Sequence, residues 1–215
     1  MDGTLVDTFR LITDAYNFAA EDFLTKRLTM REVLTTPGRT LNDVLAENIP
    51  ATHMEEAVNR YYRYFESNFH SRTKVFPGIR NLLVTMKRKG IKLAVFTGAP
   101  RRTAQMVLGK SELENYFLRV VTADDVIQPK PNPEGLQVAM NAIGADPNKT
   151  VYVGDDPDDI LASREARIKT AAALWGSKLS RELQALSPDF IFKDPSDAHE
   201  LSAWSLTDLQ VPPCS

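Results

Sequence analysis

At 215 residues and a net charge of −2, the chain spans about one and a half domains on the usual length scale. Its apolar share of 43% and charged share of 25% are those of an ordinary globular protein, with no basic stripe for nucleic acid and no charge block of a disordered tail. The lone cysteine, Cys214, closes no internal disulfide, no apolar run approaches the roughly 20 residues of a membrane helix, and MDGTLVDT lacks the order of a secretory leader, so a reducing, cytoplasmic setting without a membrane partner is expected.

From Phe9 to about Ser71 the pattern is helical throughout. Leu11, Ile12, Ala15, Phe18, Ala19, Phe23 and Leu24 recur at helical spacing. Thr40 to Ile49 predicts a second helix that stops before Pro50, and Met54 to Phe69 a third. The third carries Ala57, Val58, Tyr61, Tyr62, Phe65 and Phe69, a stripe read as core packing. From Val75 onward helix and strand alternate. Pro77-Gly78 opens a helix with Ile79, Leu82, Leu83 and Met86 on one face; Lys87, Arg88 and Lys89 fill its last turn, where the dipole favours cations, and Gly90 ends it. There follow KLAVFT (92–97), a helix from Pro100 to near Gly109, RVVTA (119–123), a helix from Pro133 to near Gly144, and TVYVG (150–154). A helix near Ile160 to Ala166 and the strands TAAAL (170–174) and FIF (190–192) complete the series. Short apolar strands separated by helices predict an α/β protein with a doubly wound parallel sheet, which binds ligands at the carboxyl ends of its strands.

Those ends carry polar groups of a matching kind. MDGTLVDT holds Asp2, Thr97 and Gly98 follow a strand, Lys130 lies in the loop QPKPNPEG, and TVYVGDDPDD brings Asp155, Asp156, Asp158 and Asp159. Clustered carboxylates hold a hard cation such as Mg²⁺, a lysine supplies a point charge, and a threonine hydroxyl with N–H groups at a helix start cradles phosphate oxygens. Asp and Thr after strands also cap helices; that role is open to Asp7, Asp156 and Asp158, and it is the preferred one for Asp7.

DGTLVD resembles the first motif of the haloacid dehalogenase superfamily, DxDGTLxD. FPGIRNLLVTMKRKGIKLAVFTGAP looks like the segment that ends in the second motif, KPNPEG like the third and VGDDPDDI like the fourth, GDxxxD. WGSKLSRELQALSPDFIF is similar to the family's C-terminal stretch, so the resemblance runs in order over nearly the whole chain. It implies a Rossmann-like core formed by 1–8 and 74–215, and an inserted helical cap over 9–73 of the phosphoglycolate phosphatase and β-phosphoglucomutase branch. It also implies roles. Asp2 is the general acid/base and helps bind Mg²⁺, Thr97 and Gly98 bind the phosphoryl group, and Lys130 balances charge around the nucleophile. Asp155 is a direct Mg²⁺ ligand; Asp156, where relatives often have Ser, and Asp159 complete the metal group, Asp159 through water or by holding Lys130.

One family position has no counterpart. Aligning DGTLVD puts the attacking aspartate immediately before Met1, and the apolar strand that normally precedes it, in the middle of the sheet, is also missing from the chain as written. Either the start is mis-assigned or the chain is a truncated relative; in a third reading Asp2 itself attacks, with the rest of the motif out of register. The expected activity is therefore Mg²⁺-dependent hydrolysis of a small phosphorylated metabolite through an aspartyl phosphate, by a monomer or homodimer. A mutase or pyrophosphatase of the same family, or an inactive phosphate- and metal-binding relative, are the alternatives. The acid-rich GDDPDD loop suits a metal and so disfavours a dehalogenase, and the motif order excludes a response-regulator receiver. Arg39, in TTPGRT, is a candidate reader of a substrate carboxylate or second phosphate. Arg101 and Arg102 fall in the first turn of a helix, where cations are unfavourable. Either an anionic ligand compensates, held partly by Arg101, or both face solvent.

Overall fold

The structure, a computed structural model, describes residues 1–34 and 41–201. Strand β1 (Val6–Asp7) leads into helix α1 (Phe9–Ala19), α2 (Met30–Leu34), α3 (Leu41–Ala46) and α4 (Met54–Arg72), and the chain returns through β2 (Lys74–Val75). β1 and β2 pair antiparallel, Val6 opposite Val75 and Asp7 opposite Lys74, so the helical segment leaves and re-enters through one two-stranded ribbon. α1 is shorter than its sequence pattern, because Phe23 and Leu24 pack on the core from turns rather than from a continued helix. α3 is likewise shorter than predicted, with a 3₁₀ turn at Ala51–His53 behind Pro50. The aromatic stripe of α4 is core, as read: Tyr61, Tyr62, Phe65 and Phe69 are buried, and Tyr16 of α1 meets Tyr61 edge-on at 5.0 Å. The apolar cluster around these rings continues without a break into Ile79, Leu83, Val95, Val107 and Leu108 of the following segment.

After β2 come α5 (Ile79–Arg88), β3 (Ala94–Phe96), α6 (Arg101–Lys110), β4 (Arg119–Val121) and α7 (Glu134–Ile143). Next are β5 (Val151–Gly154), α8 (Pro157–Glu165), β6 (Lys169–Ala173), α9 (Ser180–Ala185) and β7 (Phe190–Phe192). α8 starts three residues ahead of its apolar pattern: Asp156 caps it and Pro157 sits in its first turn, a start set by polar residues. α9, unread in the sequence, has only Leu183 buried.

All ladders among β3 to β7 are parallel, as the α/β pattern requires, but they form two separate groups. β3 pairs with β4, and β5 with β6 and β7. Among the described residues β3 and β5 are not bonded to each other. The Thr97 N–H donates to Val121 and the Lys169 N–H to Thr150. Successive residues of a strand direct their backbone groups to opposite sides, so Ala94 and Phe96 on β3, and Val151 and Val153 on β5, turn theirs away from the paired neighbours, and the Phe96 carbonyl accepts the Tyr152 hydroxyl instead. Val151 and Val153 are only half-buried, unusual for the middle of a parallel sheet.

Candidate active site

The N-terminal loop folds back on itself. The N–H groups of Thr4, Leu5 and Val6 all point at the Met1 carbonyl, and Gly3 takes φ +69°. A Cβ at Gly3 would lie 2.0 Å from Asp155 Oδ2, so the loop can approach the end of β5 only with glycine there. Thr4 then donates its hydroxyl to Asp155 Oδ1 at 2.6 Å, and Trp175 Nε1 donates to the Thr4 carbonyl at 2.9 Å. Asp2 accepts from the Thr8 hydroxyl at 2.5 Å. Thr8 is also the first residue outside α1, whose start has no side-chain cap; Asp7, expected to cap, lies instead in β1, where pairing with Lys74 fixes it.

Behind this loop lies a buried charge pair. Lys130 Nζ donates to Asp159 Oδ1 at 2.6 Å, with 18% and 5% of the two side chains exposed. Oδ2 of the same carboxylate accepts the N–H groups of Asp155 at 3.1 Å and Asp156 at 3.2 Å. Gly154 makes this possible, since a Cβ there would meet Asp159 at 2.3 Å. Burial alone would strip the proton from Lys130, but Asp159 beside it outweighs that and holds its pKa above the usual lysine range. Conversely, burial would raise Asp159, and the Lys130 charge overrides it and holds it down. Asp155 has no such partner. Burial, and then the charge of Asp159, push its carboxyl well above the ordinary range.

The four acids read as a metal group do not form one cage. Among the described residues no three His, Cys, Asp or Glu side chains converge as a metal site. Asp156 caps α8 by accepting the Asp158 N–H at 3.0 Å, and Asp159 is taken up by Lys130 and backbone donors. Asp155 accepts the Thr4 hydroxyl, and neither a helix cap nor an ion pair takes it up. Mg²⁺ commonly binds through one or two carboxylates and keeps several waters, so this residue suits one position in its shell.

Thr97 is buried at the end of β3, and its hydroxyl accepts the Ala99 N–H at 3.2 Å. Gly98 faces open space: nothing lies within 4 Å of where its Cβ would be. Arg101 does find an anionic partner, but it is protein. Asp124 accepts the Arg101 N–H at 2.8 Å and Asp125 accepts its guanidinium at 2.7 Å, so two acids twenty-odd residues away relieve the helix start without a ligand. Arg102 stacks 3.9 Å above the Tyr62 ring of α4, joining the helical segment to α6. Arg39 lies outside the described residues.

Asp125 also accepts from the Thr122 hydroxyl and N–H in a capping box. Burial would raise its pKa, but these hydrogen bonds and Arg101 hold it at about 2. A lowered carboxyl stabilises the fold above its unfolded value, near 4, and that contribution is lost as pH falls toward 2. Asp125→Ala is expected to cost about 1 kcal/mol, a melting shift of about 2–4 °C at neutral pH. The gap between variant and parent should shrink between pH 4 and pH 2 in thermal melts; a gap constant with pH would refute this account.

Sequence reasoning passed over Tyr152. Its hydroxyl lies 3.0 Å from the Phe96 carbonyl and 3.1 Å from Asp159 Oδ1. The only sign of it was a polar tip in the otherwise apolar TVYVG. The contacts of Thr4 and Trp175 span more than 150 residues, so no local pattern marks them.

Fold and site together define an α/β protein with parallel strands that gathers acids and one lysine around the end of β5. Residues 1–173 match the model of the haloacid dehalogenase-like hydrolases. Pyrophosphatase PpaX of Anoxybacillus flavithermus is 32% identical over 197 residues, 92% of this chain and 91% of that protein. The enzyme of the same name from Bacillus cereus is equally similar, with the same coverage. Among solved structures, a predicted phosphoglycolate phosphatase from Haemophilus somnus shares the fold at a TM-score of 0.84, with 22% identity over 94% of this chain and 95% of that one. CbbY from Rhodobacter sphaeroides, solved with phosphate, does so at 0.78, with 20% identity over 92% and 93%. The chain belongs to the haloacid dehalogenase-like hydrolase family. Among the described residues no helix is long and apolar enough to cross a membrane.

Proposed function

We propose that the chain carries the phosphate-handling body of a Mg²⁺-dependent phosphatase that hydrolyses a small phosphorylated metabolite. The observation that carries this reading is the buried Lys130–Asp159 pair beside Asp155, whose carboxyl burial and Asp159 push up despite the nearby N-terminus and Lys130. Lys130 has three N–H groups and gives one to Asp159, so two remain for phosphoryl oxygens or an attacking carboxylate. The Thr97 hydroxyl, already accepting from Ala99, keeps its proton to donate to a phosphoryl oxygen. Asp2, oriented by Thr8, protonates the leaving oxygen and then takes a proton from the water that cleaves the covalent intermediate. Asp155 would hold Mg²⁺, which supplies positive charge where the transferring group gathers negative charge. The motif register places the attacking aspartate immediately before Met1, so the 215 residues alone are expected to bind phosphate and metal with only trace turnover.

Relatives named pyrophosphatase favour a second reading, in which the leaving group is itself a phosphate. Comparing inorganic pyrophosphate with an alkyl phosphate as substrate, in a chain extended by the upstream aspartate, separates the two.

The metal assignment has its own test. Asp155→Asn is expected to weaken Mg²⁺ binding at least tenfold in calorimetry, on the order of one charged ligand lost. Equal affinity in variant and parent would remove Asp155 from the metal site.

A further inference from the structure

Asp159 is the node of the site, and its carboxylate is fully subscribed. Oδ2 holds two backbone N–H groups at the start of α8, which fixes the plane of the carboxylate. Oδ1 faces two side-chain donors, Lys130 at 2.6 Å and Tyr152 at 3.1 Å. The Tyr152 hydroxyl has one proton and two acceptors in reach, Asp159 Oδ1 and the Phe96 carbonyl, nearly equidistant at 3.1 and 3.0 Å. It can donate to only one of them at a time. The Lys130 ammonium is walled by the same residues, 5.2 Å from the centre of the Phe96 ring and 6.0 Å from that of Tyr152.

These distances create a dependency. When the two free N–H groups of Lys130 engage an anion, the ammonium shifts toward it and its bond to Asp159 weakens, which leaves a buried carboxylate less compensated and by itself opposes binding. A donor that moves onto Oδ1 as that bond weakens would lower the opposition. Tyr152 is within reach of Oδ1 without any movement of the backbone, and its alternative acceptor, Phe96, lies at the open edge of β3.

We propose that Tyr152 is a positioning residue whose hydroxyl turns from the Phe96 carbonyl to Asp159 as Lys130 engages a phosphoryl group, so that Lys130 can serve the ligand. The inference rests on the reading of Lys130 as a phosphate ligand. No covalent bond changes; one proton donor exchanges acceptors.

The test is titration of inorganic phosphate, with Mg²⁺ present, into the 215-residue chain and three variants: Tyr152→Phe, Lys130→Gln and the double variant. Glutamine keeps a donor for Asp159, so the second variant does not leave a bare buried carboxylate. Tyr152→Phe is expected to weaken phosphate binding roughly tenfold, the scale of one hydrogen bond to a charged group. In the Lys130→Gln background the same change should have no further effect on affinity, while it lowers the melting temperature in both backgrounds, since the Phe96 carbonyl loses its donor. A purely structural tyrosine would instead weaken binding equally with and without Lys130, and that additive result overturns the proposal. Loss of binding in Lys130→Gln but none in Tyr152→Phe also overturns it, while leaving Lys130 as the ligand. Unchanged binding in Lys130→Gln refutes the phosphate reading itself. Should Tyr152→Phe fail to fold, the parent still decides the matter: phosphate should shift the near-ultraviolet tyrosine absorption as a phenol moves from an amide to a carboxylate acceptor, and a flat difference spectrum at saturating phosphate sinks the proposal.

Discussion

Fused behind an apolar strand that ends in aspartate immediately before Met1, the chain is expected to gain Mg²⁺-dependent hydrolysis of p-nitrophenyl phosphate by on the order of a thousandfold or more, the scale on which removing a nucleophile silences an enzyme. Two observations motivate the size of the effect. The DGTLVD register places the attacking carboxylate immediately before Met1, and β3 and β5 are not bonded to each other, with Ala94, Val151 and Val153 turned away from their paired neighbours. A strand there would satisfy both edges, and each buried group it pairs is worth about 1–3 kcal/mol against being left unmade. Melting temperature should therefore rise together with activity. A control fusion ending in asparagine separates the two gains: it should be as stable as the aspartate version and as inactive as the unfused chain. Strong Mg²⁺-dependent turnover by the 215 residues alone would refute the register and bring Asp2 back as the nucleophile.

Lys130→Met should be the most damaging single substitution in the described site. It removes the cation from a carboxylate that is only 5% exposed, and a buried pair broken on one side costs about 3–5 kcal/mol. Against a net stability of about 5–15 kcal/mol, that is a large fraction. Adding Asp159→Asn should recover most of the loss, because the amide oxygen still accepts the N–H groups of Asp155 and Asp156 while position 159 no longer buries an unpaired charge. Denaturant melts of the two variants check this directly. A loss below about 1 kcal/mol for Lys130→Met would mean the pair is solvated and worth no more than a surface ion pair.

The same contacts bear on the cap expected over 9–73. The apolar cluster passes from α1 and α4 into α5, α6 and β3, and Arg102 stacks on Tyr62 across the junction. The helical segment is thus not isolated from the rest by a polar boundary.

Local pattern was enough to read much of this protein. The helical segment, the alternating helices and strands after Val75, and the presence of Thr97 and Asp155 at strand ends and of Asp2 and Lys130 in loops all follow from periodicity and motif, because burial of one face and the chemistry of phosphate both leave marks on neighbouring residues. Pairings over long stretches of chain leave no such mark. That Asp159 holds Lys130 while Asp156 caps α8 depends on where β5 ends relative to the Lys130 loop. That Asp124 and Asp125 relieve Arg101 depends on the parallel pairing of β3 with β4, which sets the loops after both strands side by side. Tyr152 gains its two acceptors only because β3 and β5 stand close without bonding to each other. Residue type limits what each group can do; only the packed chain decides which partner lies within about 3 Å, and with hydrogen bonds and buried charges that distance selects the role.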